Sequence, residues 1–110
     1  MIRFIAVLLL AVALAGCSDG GTPLTITNQS LARIEALQAS GPGFSAYVGN
    51  LEPGERKKIK IYPRGEASLG LTFTANGRQF SSPASGYLES GYNVSVIVAK
   101  DMSVVVDAEL

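Results

Sequence analysis

From Leu24 onward, hydrophobic and polar residues alternate in short stretches that are separated by turn-forming residues. Alternation with a period of two is typical of β-strands that bury one face. The pattern gives seven or eight strands, one of them a short strand over 78–81, and no convincing helix. It predicts an all-β fold over residues 24–110, an antiparallel sandwich or small barrel, of which we favour the β-sandwich. For the strands other than 78–81, the residues expected to face inward are, strand by strand, Leu24 and Ile26; Ala32, Ile34 and Ala36; Phe44, Ala46 and Val48; Ile59 and Ile61; Leu69, Leu71 and Phe73; Tyr92, Val94, Val96 and Val98; and Met102, Val104 and Val106.

The segment 31–37 admits a second interpretation, because Leu31, Ile34 and Leu37 recur every three residues as in a short helix. We favour a strand, since Gly41-Pro42-Gly43 follows within a few residues and the neighbouring segments are strand-like.

Two dipeptides predict specific turns. Pro53-Gly54 suits the central positions of a type II turn, because proline fixes its own φ and glycine accepts a positive φ. Asn76-Gly77 lies between two alternating stretches and predicts a type I′ hairpin, which needs a positive φ at both central residues. A loop rich in serine, proline and glycine is expected over 81–86, and Lys100-Asp101 is expected to turn the chain before the last strand.

The first sixteen residues follow a different pattern. Arg3 supplies a positive charge, an apolar run begins at Phe4, and small residues precede Cys17. This order predicts a secretory signal peptide. The stretch from Phe4 to Gly16 has 13 residues, and a membrane-spanning helix needs roughly 20. An uncleaved membrane anchor is therefore not expected.

Leu14-Ala15-Gly16-Cys17 closely resembles the lipobox of bacterial lipoproteins. The resemblance implies a signal peptide over 1–16, cleavage between Gly16 and Cys17, and lipid attached to Cys17. The residues that follow are small, polar and rich in glycine, which predicts a flexible tether, so that 17–23 comprises the lipidated cysteine and the tether. The alternative is an ordinary signal peptide cut after Ala15 or Gly16. That alternative leaves Cys17, the only cysteine, as a free thiol in an oxidising compartment.

The residue after the cysteine bears on localisation. In the lipoproteins that this sequence resembles, aspartate at that position is the chief signal for retention in the inner membrane, and here the position holds Ser18. We therefore expect a lipid-anchored protein of the bacterial cell envelope, on the outer membrane and facing the periplasm. Asp19 is the competing feature, because some bacteria also read the next position.

The passage 88–96 resembles the turn-to-strand passage of fibronectin type III and other immunoglobulin-like domains. In that family a leucine and a glycine, here Leu88 and Gly91, precede a corner tyrosine, here Tyr92. The resemblance implies an immunoglobulin-like sandwich. The proline that is usual in this passage is absent from residues 88–96. The sequence also has no tryptophan and one cysteine, so the core tryptophan and the disulfide of antibody domains are absent.

The composition excludes several kinds of chemistry. The chain has no histidine, which removes histidine general bases, Ser-His and Cys-His nucleophiles and most zinc sites. Nine basic and nine acidic residues leave it nearly neutral, without a general attraction to nucleic acid. The carboxylates fall mainly in predicted turns, where such side chains are common. We expect no enzyme, catalytic residue, metal site or cofactor.

Five cations lie close together, and we call them the cationic stripe: Arg56, Lys57, Lys58, Lys60 and Arg64. Alternation places Lys58, Lys60 and Tyr62 on one outward face. This face could bind lipopolysaccharide phosphates, an anionic leaflet or an acidic partner. We favour a second interpretation, in which lysines on an edge strand prevent edge-to-edge pairing with another chain.

Aromatic residues suggest a further candidate surface around the loop 88–91. Tyr87 flanks this loop and, if exposed, could anchor a partner. We favour the alternative, in which Phe80 and Tyr92 pack in the core and Tyr87 covers the loop.

These observations favour a non-enzymatic binding or accessory domain that holds another envelope protein or glycan near the membrane. The alternative is a surface-held inhibitor of a secreted hydrolase, a lysozyme or protease, that acts through the loop 81–91. A hydrolase with a carboxylate pair ranks third.

Overall fold

A computed structural model describes residues 21–89 and 91–110. In this part of the chain, nine β-strands form two sheets and there is no helix. The protein is an all-β sandwich, as the alternation predicts. The strands are β1 (Thr22–Asn28), β2 (Ile34–Gly41), β3 (Phe44–Leu51), β4 (Arg56–Ile61), β5 (Ala67–Ala75), β6 (Arg78–Ser81), β7 (Ser85–Leu88), β8 (Asn93–Val98) and β9 (Val104–Glu109).

Sheet A has the strand order β4-β1-β8-β9, and sheet B has the order β3-β2-β5-β6. Strand β7 also pairs with β5, so that β6 and β7 share the side of β5 that faces away from β2. Strands β1 and β8 run parallel, which the prediction of an antiparallel sandwich did not include. The other strand pairs that we describe are antiparallel.

The core lies between the two sheets and consists of the inward rows of alternating strands. Both β1 and β5 alternate between buried and half-buried residues along their whole length. Fully buried branched side chains such as Ile26, Leu71 and Val96 fill the interior. Burial of a side chain of this size contributes roughly 1.5–3 kcal/mol, so this core is the main source of stability.

The structure confirms both predicted turns. Glu55 donates its backbone N–H to the carbonyl of Glu52 over 2.9 Å, and Gly54 between them has a φ of 82°, as in a type II turn. Asn76 and Gly77 have φ values of 52° and 73°. Because Ala75 pairs with Arg78, these two residues form the two-residue loop of a type I′ hairpin.

The segment 31–37 enters a strand, not a helix, but the expected inward position of Ala36 is wrong. Ala36 is exposed with a φ of 53°, and the register of β2 shifts around it. The side chain of Asn50 accepts the Ala36 N–H over 3.1 Å. Ala36 is thus the extra residue of a β-bulge, which places Leu37 and Ala39 inward.

Several strand boundaries also differ from expectation. Strand β2 begins at Ile34 and not at Ala32, β8 begins at Asn93 and not at Tyr92, and β9 begins at Val104, which leaves Met102 in the preceding turn. Residues 85–88, assigned partly to a loop, form β7 because they pair with the first half of β5. Strand β1 begins at Thr22 and not at Leu24, so Thr22 and Pro23 belong to the sandwich. Proline near the beginning of a strand costs little ladder bonding.

The sandwich has two poles, which we name by the ends of β1. The N-terminal pole, where β1 begins at Thr22, also holds the loops 62–66 and 89–92 and the end of β9. The far pole, where β1 ends at Asn28, holds the loop 29–33, the 52–55 turn and the turn before β9. The seven residues of β1 separate the poles, and their six steps span about 20 Å at 3.3 Å per step.

Asn28 joins the two sheets at the far pole. Its side chain is fully buried, and its Nδ2 donates to the carbonyl of Ala32 over 2.8 Å and to that of Leu51 over 3.1 Å. Its Oδ1 accepts from the backbone N–H of Ser30 over 2.9 Å and from the Ser30 hydroxyl over 2.6 Å. One amide therefore satisfies buried groups from the 29–33 loop and from β3.

We predict that Asn28→Leu lowers the free energy of unfolding by about 3 kcal/mol or more. Leucine keeps the branching of the side chain but cannot form hydrogen bonds, so the Leu51 carbonyl and the Ser30 N–H lose the partners that the amide gave them. Each such loss costs roughly 1–3 kcal/mol, and the Ala32 carbonyl keeps only its 3.1 Å bond from the Ser30 hydroxyl. Chemical denaturation of the chain that starts at Ser18 measures the effect. The matched control is Asn93→Leu at an exposed position of β8, which should stay within about 0.5 kcal/mol of wild type. Equal losses for both variants would contradict this role of Asn28.

Candidate functional site

The most specific sequence prediction concerns Gly16 and Cys17, and both lie outside the described residues. Lipid attachment and cleavage there stay predictions. In the described part of the chain, no helix is long and apolar enough to cross a membrane.

The structure places the predicted outward lysines on an edge strand. Strand β4 is the outermost strand of sheet A, and Lys58 and Lys60 are exposed on it while Ile61 is buried. Lys57 points the other way, is half-buried, and donates through Nζ to the carbonyl of Asn50 over 2.9 Å. Four members of the cationic stripe therefore divide between the two faces of β4, with Arg56, Lys58 and Lys60 on the outer face, and Arg64 lies in the loop after the strand.

The strand register gives the outer face of sheet A an ordered charge distribution. Lys58 lies opposite Thr25, Thr25 opposite Ser95, and Ser95 opposite Asp107. In the neighbouring row Lys60 lies at the β4 edge and Glu109 at the β9 edge. The face is thus basic at one edge, neutral in the middle and acidic at the other. The sequence could not reveal this, because the pattern depends on β1 lying between β4 and β8.

The two tyrosines that the sequence singled out lie at the N-terminal pole. Tyr62 follows β4 directly and is 52 % exposed, and Tyr87 in β7 is 48 % exposed. Tyr92 is half-buried against the core and packs edge-on against Tyr87, with 5.8 Å between the ring centroids. Partial desolvation, together with the carboxylates of Glu66 and Glu89, raises the pKa of the Tyr87 hydroxyl, so this phenol stays neutral.

Sequence reasoning missed an open cleft on the side of the sandwich. It lies between the segment after β6 and the start of β9 and has a volume of about 370 Å³. Aromatic and aliphatic side chains form part of its lining, and serines and a proline form the rest. The lining residues are Phe73, Phe80, Ser81, Ser82, Pro83, Ser85, Met102, Ser103 and Val104.

Local bonds explain why the cleft stays open. The Phe73 and Phe80 rings stack with centroids 5.3 Å apart, which fixes one wall. Ser82 donates its backbone N–H to the Leu71 carbonyl over 2.8 Å, and its hydroxyl accepts the Leu71 N–H over 2.9 Å. These bonds end the hairpin at Ser82, and the chain then leaves the sheet before β7 begins. Ser81, Ser82, Pro83 and Ser85 in this passage line the cleft.

Asp101 in the turn before β9 is held by its neighbours. Its Oδ1 accepts the Ser103 hydroxyl over 2.6 Å and the Ser103 N–H over 3.0 Å. These hydrogen bonds lower the pKa of the Asp101 carboxyl. Asp101 therefore stays ionised at neutral pH and positions Ser103 at the edge of the cleft. Among residues 21–89 and 91–110, no three His, Cys, Asp or Glu side chains are grouped to hold a metal ion.

Comparison with known proteins shows a shared fold. The chain is similar to a solved structure described as the NMR structure of the protein from Eubacterium rectale, with a TM-score of 0.61 and 16 % sequence identity. The match covers 83 % of this chain and 90 % of that chain. At this identity the likeness concerns the fold and not an activity. No family model and no curated protein matches the sequence.

We predict that replacing both Lys58 and Lys60 with threonine makes the chain that starts at Ser18 aggregate more readily. Threonine keeps the β propensity and removes the charges that repel a second β4 strand at this edge. Light scattering during concentration at moderate salt measures the effect. The control, Arg64→Thr with Lys100→Thr, removes the same charge from exposed positions outside the strands and should change solubility little.

The opposite result would assign a different role to the lysines. Suppose that the double variant stays as soluble as wild type. If wild type binds anionic vesicles with an affinity that falls steeply with salt, and the double variant does not bind them, the lysines form a binding surface.

Proposed function

We propose that this chain is a bacterial envelope lipoprotein, anchored through lipid on Cys17, whose sandwich binds another envelope component without catalysing a reaction. The lipobox supports the anchor, and Ser18 supports the outer membrane, facing the periplasm. The single observation that carries the binding role is the cleft between β6 and β9.

The lining of the cleft favours recognition through an apolar group. Its volume of about 370 Å³ lies at the lower end of the range for ligand pockets, roughly 300–1,000 Å³. Phe80, Met102 and Val104 offer an apolar surface beside the buried Phe73, and the serines offer hydrogen bonds around it. A side chain of another envelope protein matches this surface better than a glycan, because a glycan would leave hydroxyl groups against apolar carbon.

The charges near the cleft support binding over catalysis. Asp101 is adjacent to the lining, but a general acid must hold its proton near the working pH. The lowered pKa of this carboxyl works against that role. The lining itself supplies aromatic, aliphatic, proline and hydroxyl side chains, none of which titrates near neutral pH.

The alternative function, inhibition of a secreted hydrolase through the loop 81–91, draws less support from the fold. Ser81 ends β6, Ser82 is bonded to Leu71, and residues 85–88 pair with β5 as strand β7. About half of this segment is thus held in the sheet and does not project toward a partner's active site.

Cys17→Ser should leave either an unprocessed precursor or a soluble form without lipid. The thiol is the group to be acylated, and a hydroxyl does not replace it. Metabolic labelling with a fatty acid and membrane fractionation measure the result, and density-gradient separation then tests the outer-membrane assignment. The anchor proposal fails if wild type takes up no label and the variant fractionates with membranes as fully as wild type.

Blocking the cleft should abolish capture of the partner. We predict that Ser85→Trp, which places an indole at the cleft, reduces recovery of the bound envelope component at least tenfold in pull-down from solubilised membranes. The matched control is Ser45→Trp, at an exposed position of β3 outside the cleft, which should bind as wild type. Melting temperatures confirm that both variants fold. Equal recovery with both variants would place the binding site elsewhere.

A further inference from the structure

We propose that the N-terminal pole rests on the lipid headgroup layer and that Tyr62 and Tyr87 contact the membrane interface. This inference builds on the proposed lipid at Cys17 and adds the surface by which the folded domain meets the bilayer.

The first argument is the length of chain between the anchor and the fold. Four residue steps join Cys17 to Gly21, and they span at most about 14 Å when fully extended. Strand β1 begins at the next residue, Thr22. A domain held this closely cannot turn its far pole, about 20 Å further along β1, toward the bilayer. Of the two poles, only the N-terminal pole can therefore face the lipid.

The second argument is the position of Tyr62 beside the point where the tether leaves. Gly21 packs against the side chains of Lys60 and Tyr62 so closely that a Cβ atom there would collide with both. The tyrosine ring therefore lies at the base of the tether, while about half of the side chain stays exposed. An anchor at Cys17 brings this exposed ring to within a few residue lengths of the headgroups.

The third argument places Tyr87 on the same surface. Thr22 donates its hydroxyl to the carbonyl of Glu89 over 3.2 Å, which fixes the end of β7 and the following loop beside the start of β1. Tyr87 is nearly as exposed as Tyr62, and the edge-on contact with Tyr92 holds its ring. Tyrosine suits a membrane interface because its ring is apolar and its hydroxyl stays hydrated.

The charges of this pole indicate which kind of lipid contact to expect. Lys60 and Arg64 are basic, but Glu66, Glu89 and Glu109 lie at the same end of the sandwich. A surface of mixed sign has little attraction for an anionic leaflet. The contact should therefore depend on the two rings, form on zwitterionic lipid, and persist at high salt.

Single tryptophans test this orientation, since the chain contains none. Chains over 17–110 that carry Tyr62→Trp or Tyr87→Trp are coupled through Cys17 to a maleimide lipid in phosphatidylcholine vesicles. A fraction of the phosphatidylcholine carries a nitroxide at the headgroup, which quenches nearby indoles. The matched control is Leu31→Trp, at an 84 % exposed position of the far pole.

We expect quenching of both tyrosine-position variants to exceed that of Leu31→Trp at least threefold, at low and at high salt. Equal quenching at the three positions, or stronger quenching of Leu31→Trp, overturns the orientation. Loss of the difference at high salt overturns the aromatic contact and assigns it to Lys60 and Arg64. Because the lipid is attached chemically, failure here is separate from failure of acylation in cells, which the Cys17→Ser fractionation measures.

Discussion

The fold depends on one buried amide at the end of β1. An asparagine can be fully buried only when its donors and acceptor are satisfied, and Asn28 meets this condition with groups from the 29–33 loop and from the end of β3. Its backbone adds a third connection, because Asn28 accepts the Gly54 N–H and donates to the Glu55 carbonyl. The first crossing from sheet A to sheet B, between β1 and β2, and the first return, between β3 and β4, therefore meet at one residue. Both crossings are fixed by hydrogen bonds, and the apolar core fills the space that they define.

The position of β1 then determines which surfaces stay open. Strand β1 lies between β4 and β8, so that β4 and β9 become the edges of sheet A, with the lysines on one and the carboxylates of Asp107 and Glu109 on the other. In sheet B the side of β5 away from β2 is shared by two short strands. The bonds between Ser82 and Leu71 end the first of them, and the cleft opens where the chain passes to the second. The cleft is thus a consequence of splitting one edge between β6 and β7.

The sequence allowed prediction of features that depend on local patterns. Period-two alternation identifies the inward row of β5, and Asn76-Gly77 closes its hairpin because the required φ values belong to those residue types. Features that depend on distant partners were not predictable. The bulge at Ala36 needs the Asn50 side chain to accept its N–H, fourteen residues away. Strand β7 contains serine and glycine, which indicate a loop, and only pairing with β5 makes it a strand. Phe80 was expected in the core, and its ring does stack on Phe73. The cleft beside these rings was not predictable, because its other wall comes from Met102 to Val104, about twenty residues further along the chain.

The two ends of β1 suggest how an anchored domain could use one surface for the membrane and another for a partner. In the proposed orientation the strands stand away from the bilayer, since the tether joins them at Thr22 and is shorter than β1 itself. The cleft borders on Met102 and Ser103, which lie in the turn at the far pole, and it opens to the side of the sandwich. A partner can then reach the cleft without displacing lipid, while the rings at the N-terminal pole limit rotation about the tether. Limiting that rotation reduces the orientational freedom lost on binding, so the membrane contact would strengthen binding at a cleft that it does not touch.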